Sequence, residues 1–172
     1  MLLTTDPELF TVQESKMMGI WPPSDIVSHG LLPYIKRLRV DKVSILEVGV
    51  HKGENAIQML SNDERERIGM IYGIFYGDKN IKEILQKNTA NESRFSMDVP
   101  NEDFDVVIIN SECKNLTGKM EKYYNKVKSN GIFCGNNHDK KHVKEALVDF
   151  RRRCKIGTPI LVSNGSFFWY KR

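Results

Sequence analysis

The chain has 172 residues, 40% hydrophobic and 28% charged, with 26 lysines and arginines against 22 aspartates and glutamates for a formal charge of +4. At about 100 to 200 residues per domain this length predicts one domain, and a chain of this size buries roughly 70% of its unfolded surface, which sets aside disorder, collagen and coiled coil. The charge excess is too small to demand a polyanionic partner, so nucleic acid is permitted and not implied.

Residues 1–25 show no sustained period, and Trp21-Pro22-Pro23 followed by Ser24 and Asp25 reads as a rigid stop and then a helix N-cap signal. This segment is expected to be an N-terminal flap, with residues 26–172 forming the domain proper. Val27, Leu31, Tyr34, Ile35 and Leu38 recur on one helical face, although Gly30 and Pro33 should break or kink it.

From Val43 onward, short apolar runs alternate with stretches of helical period, the pattern of parallel strands joined by crossover helices. Strands are expected at Val43–Val48, Met70–Phe75, Asp105–Ile109 and Gly131–Cys134, with a weaker one near Arg94–Ser96. Most lack polar alternation, so the sheet should be covered on both faces. Between them Ala56, Ile57 and Leu60 mark one helix, and Ile81, Ile84 and Leu85 a second. Leu116, Met120, Tyr123, Tyr124 and Val127 mark a third, and Val143, Ala146, Leu147 and Phe150 a fourth, with Lys140, Lys141, Lys144, Arg151 and Arg152 on its outer side. The end, Pro159–Ser163, Asn164-Gly165 and Ser166–Lys171, reads as an antiparallel hairpin around a strong turn dipeptide.

Cys113, Cys134 and Cys154 are too widely spaced for a zinc or CxxC motif and odd in number, so a reducing cytoplasm is the expected setting. No apolar run approaches the roughly 20 residues that cross a bilayer, and the opening MLLTTDPELF carries acids where a signal peptide would carry basic charge.

The chemistry concentrates after the first strand, in ILEVGVHKGENAI. Glu47 ends the strand, Gly49 and Gly53 follow, and a helix begins near Glu54. Glycines there let the backbone turn sharply and approach a ligand, and the helix start favours a negative charge, although such glycines also serve turn geometry alone. The spacing E-x-G-x-x-x-G is neither the dinucleotide fingerprint nor a P-loop, which weakens the dehydrogenase and nucleoside-triphosphate readings.

The order ILEVGVHKG, IYGIFYGD, FDVVIIN, VKSNGIFCGNNHD and a closing hairpin resembles the class I S-adenosylmethionine-dependent methyltransferases, and within them the branch of small-molecule O-methyltransferases. The resemblance spans about Val43 to Arg172. It implies an α/β, Rossmann-like doubly wound sheet of about seven strands, ordered 3-2-1-4-5-7-6 with the last strand antiparallel and helices on both faces. The implied cofactor is S-adenosylmethionine, with a small molecule as acceptor.

Residue by residue, the resemblance puts Glu47, Gly49, His51 and Gly53 on the loop that holds the cofactor's methionine portion. Phe75 falls where the family has the acid that accepts the ribose hydroxyls, and Asp78 either substitutes for it or caps the next helix. Asp98, beside Met97, falls at the adenine position, or is a solvated turn acid. Asn110 replaces the family's Asp after the fourth strand, with Ser111, Glu112 and Cys113 in place of Gly-x-His, and Asn136 and Asn137 replace His-Asp after the fifth. Neutral amides are poor ligands for a hard divalent cation, so no metal is expected.

His51, Asn110 and Glu112 are the catalytic candidates, His51 as a base or simply a loop residue near the cofactor. His138 and His142 are four apart, but Asp139 makes a natural N-cap there and no third ligand is evident. Cys113 has no evident paired histidine, and the run Arg151, Arg152, Arg153 and Lys155 reads as a solvated helix face. The leading expectation is a metal-independent methyltransferase acting on an oxygen or nitrogen of a small molecule. The alternatives are a degenerate binding or assembly module of the same fold, motivated by the lost acids, and an RNA methyltransferase using the basic helix.

Overall fold

The computed structural model describes residues 31–35, 37–63, 65–163 and 165–172. The expected flap over 1–25, the Ser24–Asp25 cap, Val27, Gly30 and Asn164 lie outside the described residues. In chain order the elements are α1 (Leu31–Ile35), β1 (Val43–Val48), α2 (Glu54–Ser61), β2 (Ile68–Ile74), α3 (Lys79–Thr89), β3 (Phe95–Ser96), β4 (Phe104–Ile109), α4 (Leu116–Tyr124), β5 (Val127–Gly135), α5 (Lys141–Arg153), β6 (Leu161–Ser163) and β7 (Ser166–Tyr170).

The strands form one seven-stranded sheet ordered β3-β2-β1-β4-β5-β7-β6. The pairs β1/β2, β1/β4, β2/β3 and β4/β5 are parallel, whereas β7 runs antiparallel to both β5 and β6. This is the order expected from sequence, and its centre is apolar for the reason given there. β4 is buried at every position, and alternate side chains of β1, β4 and β5 feed two separate cores. On one face Ile45, Val106, Ile108 and Ile132 meet Ile35 of α1 and Ala56, Met59 and Leu60 of α2. On the other, Leu46, Val48, Val107, Ile109 and Phe133 meet Met120 of α4 and Val143, Leu147 and Phe150 of α5, with Trp169 fully buried among them. Burying a large apolar side chain contributes about 1.5 to 3 kcal/mol, so these two layers hold the carboxyl ends of β1 and β4 at fixed height.

Several local expectations are corrected. Pro33 lies within α1, and the helical face read as far as Leu38 ends at Ile35. The third helix stops at Tyr124, not Val127: the Lys126 N–H donates to the Tyr123 carbonyl (3.0 Å), and Val127 is the first residue of β5, opposite Phe104. Asp139 does not cap α5. Asn137 takes a left-handed φ of 56°, the Lys140 N–H donates to its carbonyl, and the N-cap falls on Lys140 without a side-chain bond. Asp78 does cap α3, its Oδ1 accepting from the Ile81 N–H at 3.0 Å.

Candidate functional site

The carboxyl ends of β1, β2 and β4 surround a cavity of about 590 Å³, within the range of small-molecule sites. Its walls are Gly49 and His51 after β1, Tyr76, Gly77 and Asp78 after β2, Asn110, Glu112, Cys113 and Lys114 after β4, and Lys119 on α4. Open α/β sheets bind ligands in this place, where strand order reverses on either side of β1.

The first wall is built by backbone. Gly49 has a φ of +87°, and its N–H and that of Val50 both donate to the Ile74 carbonyl, folding the loop towards β2. The Asn110 Nδ2 donates to the Gly49 carbonyl (3.1 Å), while the Cys113 Sγ lies 3.7 Å from the Val48 carbonyl. Gly53, with a φ of +90°, opens α2, but a Cβ there would meet Leu85 and Thr89 of α3, so this glycine serves helix packing. His51 lines the cavity with its Nδ1 3.0 Å from the Glu54 Oε1.

Glu47 lies behind this loop and is 1% exposed. Burial pushes its carboxyl up from 4.5 to about 8, opposed by the hydrogen bond from the Asn55 Nδ2 (2.9 Å) and aided by nearby Glu54. Its Oε2 is buried with no hydrogen-bond partner among the described residues. A carboxyl held neutral at pH 7 costs far less to bury than a carboxylate. Burial also raises the Cys113 thiol, which is therefore no ready nucleophile.

The second wall carries a relationship that sequence reading missed. Tyr76 is 42% exposed and reaches α4, its hydroxyl 3.1 Å from that of Tyr123. The Lys119 ammonium lies over its ring, 3.6 Å from the centroid. Burial is the first cause raising the Tyr76 hydroxyl, followed by the Tyr123 hydrogen bond. Phe75 is not among the cavity walls: its ring lies over Gly77, where an added Cβ would stand 2.7 Å from Cζ. Asp98 is exposed and outside the walls as well, its N–H taken by the Ser96 Oγ. Thus Gly49, His51, Asp78, Asn110 and Glu112 come together, whereas Glu47 and Gly53 stand behind and Phe75 and Asp98 to the side.

The amides after β4 and β5 are engaged internally. The Ser111 N–H donates to the Asn136 Oδ1 (2.9 Å), the Asn137 Nδ2 to the Ser111 Oγ (2.8 Å), and the Glu112 N–H to the Asn110 Oδ1 (3.0 Å). His138 precedes α5 and is not on one helical face with the exposed His142. Burial lowers the His138 imidazole, with Lys144 adding to it. Among the described residues no three His, Cys, Asp or Glu side chains converge as metal ligands. The basic end of α5 is paired: Arg152 and Arg153 meet Asp149, and Arg153 also meets Glu121.

No protein-family model and no curated protein matches this chain. Solved structures do. An O-methyltransferase from Bacillus cereus in complex with SAH is 13% identical, with a TM-score of 0.65 over 99% of this chain and 93% of that one. A precorrin-6y C5,15-methyltransferase from Geobacter metallireducens is 15% identical, with a TM-score of 0.58 over 96% and 90%. The fibrillarin of Aeropyrum pernix, with natively bound S-adenosyl-L-methionine, is 11% identical, with a TM-score of 0.55 over 80% of this chain and 71% of that one. At such identities the likeness establishes the fold, that of the class I methyltransferases, and leaves the chemistry to the site.

Proposed function

We propose that this chain is an S-adenosylmethionine-dependent methyltransferase that methylates an oxygen or nitrogen of a small molecule without a metal. The observation that carries the reading is the cavity itself: about 590 Å³ of space at the carboxyl ends of β1, β2 and β4, with Gly49, His51 and Asp78 on its walls. Glu47, buried behind the glycine loop with Oε2 unpartnered among the described residues, is outside the cavity walls and backs the loop from within. When bound, S-adenosylmethionine supplies an electrophilic methyl group.

What the chain itself does is position and proton handling. Methyl transfer needs chiefly alignment of the nucleophile, which a walled cavity provides by restricting the acceptor's orientation. Asp78 keeps one carboxylate oxygen on the Ile81 N–H and has the other for a hydroxyl donor. His51, held by Glu54 at the cavity wall, is the base for an acceptor proton; Asn110 is engaged by Gly49 and Glu112, which makes it a brace. A small-molecule acceptor suits the cavity better than a nucleic acid suits the ion-paired end of α5. We place the protein in a reducing compartment, the cytoplasm, in keeping with three unpaired thiols. Among the described residues no helix is long and apolar enough to cross a membrane.

Transfer of a labelled methyl group from S-adenosylmethionine to members of a small-molecule library tests the reading. The second reading, a binding module that has lost catalysis, is favoured by one observation: the amides at 110, 136 and 137, where relatives carry acids or histidine, are all turned to internal hydrogen bonds. It predicts SAH binding without transfer to any library member.

A further inference from the structure

Lys119 is only partly exposed, and its ammonium is fixed on the Tyr76 ring, which is itself fixed by the Tyr123 hydroxyl. A cation over an aromatic face is attracted by the ring quadrupole, but its charge is not neutralised as it would be by a carboxylate. Among the described residues no acid forms an ion pair with Lys119 or with Lys114, the cation on the loop before α4; the Lys119 contact is the ring. The cavity's own acids stand elsewhere: Asp78 caps α3, and Glu112 is exposed on the loop, where its N–H is tied to Asn110. A lysine on a helix surface usually extends into solvent, because confining its stem costs rotamer entropy. Here the ammonium lies against the Tyr76 ring at the cavity wall, with no described carboxylate neutralising it.

We propose that the acceptor carries an anionic group, a carboxylate or a phosphate ester, and that Lys119 of α4 with Lys114 of the loop after β4 binds it at that side of the cavity. The word acceptor rests on the methyltransferase reading; the anion site does not. Tyr76 is then a positioning residue that holds the ammonium at the wall, and the specificity it confers is for a charged over a neutral small molecule. A charge-assisted contact on a partly exposed wall sets the expected discrimination at about tenfold.

The test titrates the full chain with phenyl phosphate and with neutral phenol, by ligand-observed NMR, with and without saturating SAH. The expected result is a preference for phenyl phosphate of about tenfold that weakens with added salt, is lost in Lys119→Gln and is kept in Lys119→Arg. Lys114→Gln, on the exposed loop, serves as a second variant whose folding is not in question and should lose part of the preference. Equal binding of the two probes by the unmodified chain, or a preference that survives Lys119→Gln, overturns the proposal. SAH affinity measured in parallel separates the two sources of an anion. If Lys119→Gln weakens SAH about tenfold and leaves the phenyl phosphate preference intact, the lysine serves the cofactor's carboxylate, and the proposal fails. Absence of SAH binding in the unmodified chain defeats the methyltransferase reading alone, because the two probes still decide the anion site without SAH.

Discussion

The Cys113 thiol lies over Gly49 so closely that a Cβ added at residue 49 would stand 2.6 Å from Sγ, at a backbone φ of +87°. Gly49→Ala therefore combines left-handed strain with overpacking, and should cost about 2 to 4 kcal/mol. At roughly 2 to 4 °C per kcal/mol the melting temperature falls by about 5 to 15 °C. Cys113→Ala in the same chain should recover part of that loss, because the two residues share one contact. A single Gly49→Ala variant melting within about 2 °C of the parent would contradict the packing described.

Glu47 gives a pH signature. Its carboxyl is raised to about 8 by burial, so the folded state holds a proton that the unfolded chain releases above about 4.5. Stability from this group is fully present below pH 4.5 and is lost as pH rises towards 8, by an amount on the order of a few kcal/mol. Glu47→Gln should remove that dependence and melt higher than the parent at pH 8. Chemical denaturation of both proteins at pH 5, 6.5 and 8 checks it, and parallel curves for the two would show that the carboxyl is not held neutral.

Asp78 separates capping from ligand binding. Asn is as good an N-cap as Asp, so Asp78→Asn should keep stability within about 0.5 kcal/mol while removing the charge. If the carboxylate accepts a ribose hydroxyl, SAH affinity falls roughly tenfold. Calorimetry on the folded variant reads this directly, and an unchanged affinity would move the ribose contact to another residue.

Chelator should leave SAH binding and any turnover unchanged, since Asn110, Asn136 and Asn137 direct their amides at Gly49, Glu112 and Ser111. A neutral amide already engaged competes poorly with water for a hard cation. Activity that chelator abolishes and Mg²⁺ alone restores would contradict this, and Glu112 would be the ligand to suspect.

The sheet was legible because its order is encoded in local signals. Val43–Val48 and Phe104–Ile109 are unbroken apolar runs that only a covered central strand accommodates, and Asn164-Gly165 announces the closing hairpin. The helix ends were less legible: Val127 keeps the helical period of Tyr123 and Tyr124, and only its pairing with Phe104 assigns it to β5. Of the candidate site, the glycine loop and Asn110 were readable from position after a strand. Lys119 and Tyr76 were not, since a lysine on a helix and a tyrosine in a loop have no distinguishing period, and their meeting depends on how the loop after β2 reaches α4. Phe75 shows the converse: alignment to a family position says which residue follows the strand, not which way its ring turns, and here the ring covers Gly77.

Calorimetric titration of the full chain with SAH decides whether the cavity at the ends of β1, β2 and β4 is a methyltransferase cofactor site. A ligand at 100 times its dissociation constant adds about 2.7 kcal/mol, so saturation should also raise the melting temperature by about 5 to 10 °C. One site per chain is expected, weakened by Asp78→Asn. The contradicting result is no heat and no thermal shift at millimolar SAH with the protein folded.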